Sequence, residues 1–517
     1  MTNIETRNGK IGEKMFKNQQ KPVKPHEEWG PDLSHKRVSS TNKATLSWKE
    51  RIENIHAPGY MNWISTSWGT MFINQGIIHH EDAPKVAEVL MELWEYPGNP
   101  EETSCPHTYG INNYYHRILG DEVGGRLMMA RTQPSTWQML AVRHQLLHQM
   151  CQIYDLEEAI LDRAEKHINT VMPGYTHFRH AQPTTFGHYL LSIHDPIERS
   201  MKTLEHGYHL MSLNEMGCGA LAGTSWPINR ELVAQYMGME GLIENTNDAV
   251  AYGDGFLTVV SALTNITTVA SRIALDLSYW SGVEYGFLDI GSNRGTSFMM
   301  PQKDGNPNSM EIVRQQAGQM LGHLTGVAVA GLRTPHGDVF EMLNISEPTL
   351  AAFETAEKCT TELISEIRNM KVHEERMLEL IRESYLSSTE LANQMVRDYK
   401  MGYRTAHNIV HEFVLESQSL KIPATKAQAK LLDEVAQKKL GRKLGMKDSR
   451  LRELLDPVYF VKATNSRGGV APEEIGRMII DRRQKLADAR NRYLKRIEAL
   501  ENGQEKMMSE LRRFKNE

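Results

Sequence analysis

The stretch SFMMPQKDGNPNSME, which ends at Glu311, combines reactive side chains with residues that interrupt regular structure. Ser297, Lys303 and Asn306 lie among two prolines and a glycine. The lysine ammonium group could stabilise negative charge, and the asparagine amide could donate hydrogen bonds. Glu311 has a structural explanation, because Asn308 and Glu311 have the spacing of a capping box, which predicts a helix start at Asn308. The loop is long and partly apolar, so it could fold down as a lid.

Two further loops carry polar or small residues at high density. The first, MPGYTHFRHAQPTTFGH, contains Thr176 and His177, and a helix is expected to begin near Thr184 or Thr185 as N-cap. Its hydrogen-bonding side chains could cap helix ends or bind a ligand. The second, GCGALAGTSWPINR, has three glycines that predict close backbone approach or positive φ. Tight packing at a helix crossing and a functional role both fit this second loop.

The elements that must position these loops are helices. Almost every periodic segment from Leu46 onward has the helical period, and alternating β-type runs are scarce, so we predict an all-α protein. The longest predicted helices cover residues 185–214, 255–281, 308–332 and 347–382. Helices of this length suit an elongated bundle, and their wide apolar faces favour burial against other subunits.

The chain has 517 residues, which is more than one hydrophobic core normally holds. We predict a loose N-terminal arm (residues 1–45), an N-terminal helical domain (46–130), a central helical-bundle domain (131–383), a C-terminal helical domain (384–489) and a charged helical tail (490–517). The tail is expected to be solvated, because its composition is dominated by charged side chains.

Composition and charge disfavour several classes of partner. The formal net charge of −5 offers no basic field for nucleic acid and no polybasic membrane anchor. The four cysteines lie far apart without zinc-type spacing, which predicts reduced thiols in the cytoplasm. The polar N-terminus lacks the apolar region of a secretion signal. Residues 256–280 are the most apolar long segment, but Arg272 and Asp276 within them indicate a bundle-core helix instead of a membrane span.

Together these segments resemble the fumarase/aspartase superfamily of lyases, and within it the argininosuccinate lyase branch. GTSFMMPQKDGNPNSME is similar to the family's G-S-S-x-M-P-Q-K-K-N-P-D-x-x-E, with one extra residue before Asn306. MPGYTHFRHAQP is similar to the family's PGYTHLQRAQP. Five more segments resemble the branch in the same order, namely GALAGTSWPINRE, ENTNDAVAYGD, DLSYWSGVEYGFLDI, YRTAHNIVHEFV and NSRGGVAPEEI.

The resemblance implies a homotetramer with a central helical bundle, in which loops of three subunits form each active site. Members of the superfamily eliminate fumarate from a succinyl-substituted substrate, or catalyse the reverse addition. No metal or organic cofactor is implied. The expected partners are a small dicarboxylate-type substrate and other copies of the same chain.

The resemblance also assigns catalytic roles. Ser297 matches the family's catalytic base and Lys303 its lysine, which would stabilise the charge that develops on a substrate carboxylate. Because an alcohol is a weak base, Ser297 would need cationic and desolvated surroundings. His177, oriented by Glu311, is the candidate acid for the departing atom. The candidate substrate-binding residues are Thr176, Asn306, Arg131, Thr132, Gln133, Gln302 and His107.

The segment ARTQPST departs from the family's G-R-S-R-N-D-Q substrate loop. Arg131 is retained and Thr132 can replace a serine hydroxyl, but Gln133 and the two residues after it replace an arginine, an asparagine and an aspartate. A guanidinium substrate needs fixed acceptors, so the loss of this polar set should cost much discrimination. We therefore predict a different substrate, either an N-substituted aspartate or an S-succinyl thiol.

Two other interpretations stay open at this point. The chain could be an argininosuccinate lyase with a remodelled site, or a non-catalytic oligomer, since members of the superfamily also serve as lens crystallins. The joint retention of Ser297, His177, Lys303 and Asn306 speaks against a non-catalytic protein.

Overall fold

The computed structural model describes residues 60–95, 108–131, 136–291, 306–332, 334–337 and 344–517. Over these residues the chain is mainly helical, which confirms the predicted all-α class. The helices are α1 (Tyr60–Asn74), α2 (Ala83–Glu95), α3 (Thr108–Gly124), α4 (Thr136–Lys166), α5 (Phe186–Leu210), α6 (Arg230–Tyr236), α7 (Thr246–Ala251), α8 (Asp254–Trp280), α9 (Asn308–Gly331), α10 (Ser346–Asn369), α11 (Glu374–Arg382), α12 (Ser388–Tyr399), α13 (Tyr403–Ser419), α14 (Ala429–Leu440), α15 (Asp448–Leu454), α16 (Pro457–Ala463) and α17 (Pro472–Asn516). The strands are β1 (Val171–Thr176), β2 (Arg179–Thr185), β3 (Leu213–Asn214), β4 (Gly241–Leu242), β5 (Leu288–Asp289) and β6 (Lys371–Val372).

Five long helices, α4, α5, α8, α9 and α10, form a central bundle. Helix α8 packs against α5, α9 and α10, and α4 packs against α5 and α10. Their buried apolar side chains belong to one continuous core, as expected for helices with an apolar stripe at the 3.6-residue period. The helices predicted over residues 185–214, 255–281 and 308–332 are confirmed, with shifts of a few residues at their ends.

The helix predicted over residues 347–382 is divided into two. Helix α10 ends at Asn369, and the backbone turns to an extended conformation at Met370. Lys371 and Val372 then pair with β5 as the antiparallel strand β6 before α11 begins. Strand pairing therefore interrupts a helical sequence pattern that is otherwise continuous.

By length and composition alone, α8 is apolar enough to cross a membrane. Its buried residues, which include Phe256, Val260, Leu263 and Leu277, lie in the core of the bundle. This packing agrees with the prediction of a bundle-core helix.

The sequence predicts an interhelical loop before α5, but this segment forms a β-hairpin. Strand β1 pairs antiparallel with β2, and Thr176 lies opposite Arg179 at the end of the ladder. The predicted N-cap of the next helix is confirmed, because the Thr185 side chain accepts a hydrogen bond from the backbone N–H of His188. Strand β3 pairs with β4 in parallel, and β5 pairs with β6.

A second, smaller core is formed by helices α12 to α15. Its buried members include Leu391, Phe413, Leu432 and Leu451, and it is separate from the core of the bundle. The division of the chain into the predicted domains stays a prediction.

The prediction that residues 490–517 form a solvated tail is wrong. These residues continue α17, a helix of 45 residues that begins at Pro472. Tyr493, Ile497, Leu511 and Phe514 are buried in the first core. Helix α17 packs against α4 and also against α1, α2 and α6, so its apolar stripe has a partner surface along most of its length.

Candidate active site

The tip of the β1–β2 hairpin presents two of the predicted site residues to solvent. Thr176 and His177 are both exposed. His177 and Phe178 form a two-residue turn with φ of 51° and 56°. Positive φ at both positions is typical of a type I′ turn, whose twist matches that of the two strands. The Nε2 of Gln182 donates a hydrogen bond to the Oγ1 of Thr389 over 3.2 Å, which ties the hairpin to the start of α12.

Asn306 and Glu311 lie at the start of α9, and both are exposed. The predicted capping box is wrong, because the N-cap is Pro307 and no side chain caps the helix. Since the helix begins one residue earlier than a box would require, Asn308 is its first residue and cannot act as N-cap. Glu311 remains in the first turn, where its negative charge interacts favourably with the helix dipole.

A buried glutamate lies under the start of α9. The Oγ of Ser309 donates a hydrogen bond to the Oε2 of Glu366 over 2.8 Å. The backbone N–H of Gly291 donates to the Oε1 and Oε2 of the same carboxylate over 2.9 Å and 3.1 Å. Glu366, which the sequence did not single out, therefore bonds to residues on both sides of the segment that carries Ser297.

The chain leading to Gly291 is held by the connection between α10 and α11. The backbone N–H of His373 donates to the carbonyl of Phe287 over 2.8 Å. The ring of His373 lies 3.0 Å from a carboxylate oxygen of Asp289. The Nε of Arg376 donates to the carbonyl of Tyr285 over 3.1 Å. These contacts fix the path of residues 285–289.

The glycine-rich loop between β3 and α6 has the geometry that its sequence predicts. Gly217, Gly219 and Gly223 all have positive φ. A Cβ atom on Gly219 would lie 2.6 Å from the carbonyl oxygen of Gly223, so a larger residue there would collide with the backbone. Arg230 closes the loop, because its guanidinium donates to the carbonyls of Met216 and Ile243 over 2.8 Å each.

Helix α4 is joined to the residue just before this loop. The Oγ1 of Thr136 donates to the Oε1 of Glu215 over 2.5 Å, and both residues are buried. Thr136 is the last residue of the ARTQPST segment, so this bond links the predicted substrate loop to the glycine-rich loop. No sequence motif points to Glu215.

Arg131 lies against α1. Its guanidinium donates to the Oγ of Ser65 over 2.9 Å and to the Sδ of Met128 over 3.6 Å. Burial lowers the pKa of Arg131 to about 10. The arginine remains a cation at neutral pH and is held on the side of the N-terminal helices.

His194, Asp195 and Glu198 have ligand atoms within 4.8 Å of one another, which is close enough to hold a metal ion. However, Arg482 donates to both carboxylate oxygens of Asp195 over 2.6 Å each. Lys202 lies 2.9 Å from Glu198. Although burial opposes ionisation, the nearby His194 ring and the hydrogen bonds from Arg482 lower the pKa of Asp195. The charge of this cluster is thus balanced by the protein's own cations.

Comparison with known proteins decides the family. A family model described as "Lyase" matches residues 130–322. Argininosuccinate lyase of Methanocaldococcus jannaschii is 32% identical over 436 residues, which cover 83% of this chain and 87% of the relative. The chain belongs to the argininosuccinate lyase-like branch of the fumarase/aspartase superfamily. Argininosuccinate lyase of Methanococcus aeolicus is 31% identical over 83% of this chain and 86% of its own.

Solved structures of the superfamily share the fold. EDDS lyase in complex with formate has a TM-score of 0.79 at 24% identity and covers 96% of this chain and 97% of its own. A variant of EDDS lyase with bound fumarate has a TM-score of 0.78 with the same coverage. Class II fumarase from Schistosoma mansoni has a TM-score of 0.61 and covers 77% of this chain and 89% of its own.

The described site residues of this argininosuccinate lyase-like protein come from three separate parts of one chain. Thr176 and His177 are at the hairpin tip, Asn306 and Glu311 are at the start of α9, and Arg131 is beside α1. No hydrogen bond or ion pair joins His177 to Glu311 within the described part of one chain, so that pairing stays a prediction. Ser297, Lys303, Gln302, Thr132, Gln133 and His107 lie outside the described residues.

Proposed function

We propose that this lyase eliminates fumarate from an N-substituted aspartate. The observation that carries the proposal is the span of the lyase match, because residues 130–322 include all three motif loops and every predicted site residue except His107. Its relatives are argininosuccinate lyases, and a structural neighbour has been solved with bound fumarate. Both facts support a fumarate-releasing reaction.

The reaction begins with removal of a proton from the carbon next to a carboxylate. We assign this step to Ser297, with Lys303 stabilising the negative charge that spreads into the carboxylate. The C–N bond then breaks, its electron pair leaves with nitrogen, and His177 supplies a proton to the departing amine. Thr176 and Asn306 donate hydrogen bonds to the substrate carboxylates. One such donor contributes about 3 to 4 kcal/mol in a water-excluded site.

Each site is completed by other subunits of a homotetramer. This part of the proposal is supported by the surface of α9, and the predicted residues come from separate parts of one chain. Only five residues of α9 are buried in the chain, namely Met310, Val313, Gln316, Met320 and Val327. Leu321, Val329 and Leu332 are 56%, 60% and 62% exposed, so an apolar face remains to be covered.

The leaving group is proposed to differ from arginine. The ARTQPST segment lacks the second arginine, the asparagine and the aspartate of the family's substrate loop. A site built to bond a polar group discriminates against a substrate without that group by about 10⁴-fold or more. When the site itself lacks the polar groups, we expect a similarly large loss of catalytic efficiency toward the polar substrate. An amine without a guanidinium group fits a loop with fewer charges. We place the reaction in the cytoplasm.

The test follows the absorbance of the fumarate double bond over a panel of N-substituted aspartates and S-succinyl thiols. Argininosuccinate is the comparison substrate. The reverse reaction, with fumarate and a library of amines and thiols, searches for the natural leaving group. We expect turnover of at least one aspartate adduct and loss of that turnover in Ser297→Ala.

Three outcomes would change the proposal. Efficient turnover of argininosuccinate would make the protein an argininosuccinate lyase with a remodelled site. Turnover of thiol adducts alone would make it a carbon–sulfur lyase. If no adduct reacts in either direction, the non-catalytic interpretation gains.

A further inference from the structure

We propose that Glu366 is a positioning residue that holds together the two ends of the segment between Gly291 and Asn306. The proposal rests on the proposed function, because this segment carries the predicted base, Ser297, and the predicted cation, Lys303. Glu366 lies on α10, 75 residues after Gly291 in the sequence, and is only 4% exposed.

The carboxylate of Glu366 accepts three hydrogen bonds from the two ends. Gly291 donates its backbone N–H to both oxygens over 2.9 Å and 3.1 Å. Ser309 donates its hydroxyl to Oε2 over 2.8 Å. Hydrogen bonds to a charged acceptor are about twice as strong as neutral ones. One side chain thus fixes the point where the segment leaves the fold and the helix that follows it.

The backbone at Gly291 is shaped for this contact. Its φ of +100° lies in the region that favours glycine. A Cβ atom placed on Gly291 would lie 3.5 Å from the carbonyl oxygen of Asn306. The chain therefore returns at Asn306 to the place it left at Gly291, and Glu366 is bonded on both sides of that junction.

Glu366 is itself on a rigid support. The backbone N–H of Met370 donates to the carbonyl of Glu366 over 2.8 Å and closes the last turn of α10. Strand β6 follows directly and pairs with β5, with Leu288 opposite Val372. The glutamate is thus connected to the segment both through its side chain and through the strand pair, so its position relative to Gly291 has little freedom.

A carboxylate in this position acts through the segment and not on the substrate. Proton abstraction requires the base and the carbon to be aligned at contact distance, and a misplacement of about 1 Å costs about 100-fold in rate. Loss of the anchor should therefore lower kcat. KM should change little, because substrate binding also depends on groups outside the segment, such as Thr176.

The test compares Glu366→Ala and Glu366→Gln in the full-length protein. We expect kcat to fall about 100-fold in Glu366→Ala, with KM changed by less than about threefold. Glu366→Gln retains an acceptor for Gly291 and can donate to the Ser309 hydroxyl, so it should lose less than about tenfold. Amide hydrogen exchange of the peptides that contain Gly291 and Ser309 should accelerate in Glu366→Ala.

Asp433→Ala is the matched control. The Oδ1 of Asp433 accepts the backbone N–H groups of Leu444 and Gly445 over 2.8 Å and 2.9 Å, beside the second core. It therefore anchors a loop in the same way, but away from Gly291. This variant should be destabilised yet keep its kcat, and exchange near Gly291 should stay at the wild-type rate.

The outcomes separate the two proposals. Unchanged exchange near Gly291 in Glu366→Ala would show that the anchor does not exist. Faster exchange with a kcat no lower than that of Asp433→Ala would overturn the positioning role. A wild-type protein that releases no fumarate from any adduct would defeat the proposed function instead, and the exchange rates would still decide whether Glu366 anchors the segment.

Discussion

His177 offers the most direct test of a single side chain, because its place in the turn tolerates replacement. Its φ of 51° is a conformation that asparagine adopts readily, so His177→Asn should keep the hairpin intact. Loss of a general acid should lower kcat by about 10² to 10⁴-fold. The loss of kcat in His177→Asn should be smaller for amines that can depart without accepting a proton. The experiment therefore measures kcat of the variant and of wild type over a series of amines of different basicity.

Phe178→Asn provides the control for this experiment. It changes the other residue of the same turn, at a φ of 56°, without removing the imidazole. We expect it to keep kcat within a few-fold of wild type. If both variants lose activity equally, with no dependence on the leaving group, His177 shapes the hairpin and is not an acid.

At the residue scale, the sequence motifs offer candidate catalytic groups, whose roles stay predictions, but they do not reveal the buried groups that hold the nearby backbone. Thr176 and His177 stand out because they share a short motif with other polar residues. Glu366 cannot be recognised in this way, since a glutamate in a helix of ordinary composition looks like a surface residue and its partner Gly291 is 75 residues away. The bond between Thr136 and Glu215 is hidden for the same reason, across 79 residues.

At the scale of elements, a buried carboxyl on α4 makes the bundle sensitive to pH. Glu157 is 3% exposed, and its Oε1 lies 3.8 Å from the Nε2 of His194 on α5. Burial, with the charge of Glu198, raises the pKa of Glu157 from 4.5 to about 8. The folded protein therefore binds this proton more tightly than the unfolded chain does.

Linkage gives the sign of the effect. The stabilisation by the protonated Glu157 carboxyl is complete below about pH 4.5 and is lost as the pH rises to about 8. Glu157→Gln cannot ionise, so its Tm relative to wild type should rise over this range. Thermal unfolding of both proteins, followed from about pH 5 to about pH 9, measures this difference in Tm across the titration. A difference in Tm that is independent of pH would contradict the assignment.

Periodicity predicted the long helices of the bundle but missed the β1–β2 hairpin, the strand break after α10 and the burial of the end of α17. The β1–β2 hairpin turns through His177 and Phe178 instead of an Asn-Gly pair, so it lacks the usual hairpin signal. Charged side chains dominate the end of α17 and therefore predict a solvated tail, whereas the structure buries one stripe of it. Its buried residues Tyr493, Ile497 and Leu500 nevertheless recur at helical spacing. The burial of this stripe becomes evident only from its packing against α4 and the neighbouring helices.

At the scale of the whole molecule, α9 should form part of a subunit interface. Leu321→Glu places a charge on the exposed apolar face of this helix, where Leu321 is 56% exposed in one chain. Burial of an unpaired charge in an interface is costly, so the variant should dissociate to smaller species while each chain stays folded. Light scattering and circular dichroism measure the two properties. A stable tetramer in Leu321→Glu would place the interface elsewhere.

Mixing two inactive variants tests whether each site is shared between subunits. His177→Asn removes a group that precedes α8 in the sequence, and Ser297→Ala removes a group that follows it. Within the described part of one chain, no bond joins the hairpin tip to the start of α9. If one site takes Ser297 and His177 from different chains, some sites of a mixed tetramer contain neither defect. Random assembly from equal amounts should restore about a quarter of the wild-type activity. If both groups come from the same chain, every site carries one defect, and denaturation followed by joint refolding should restore nothing.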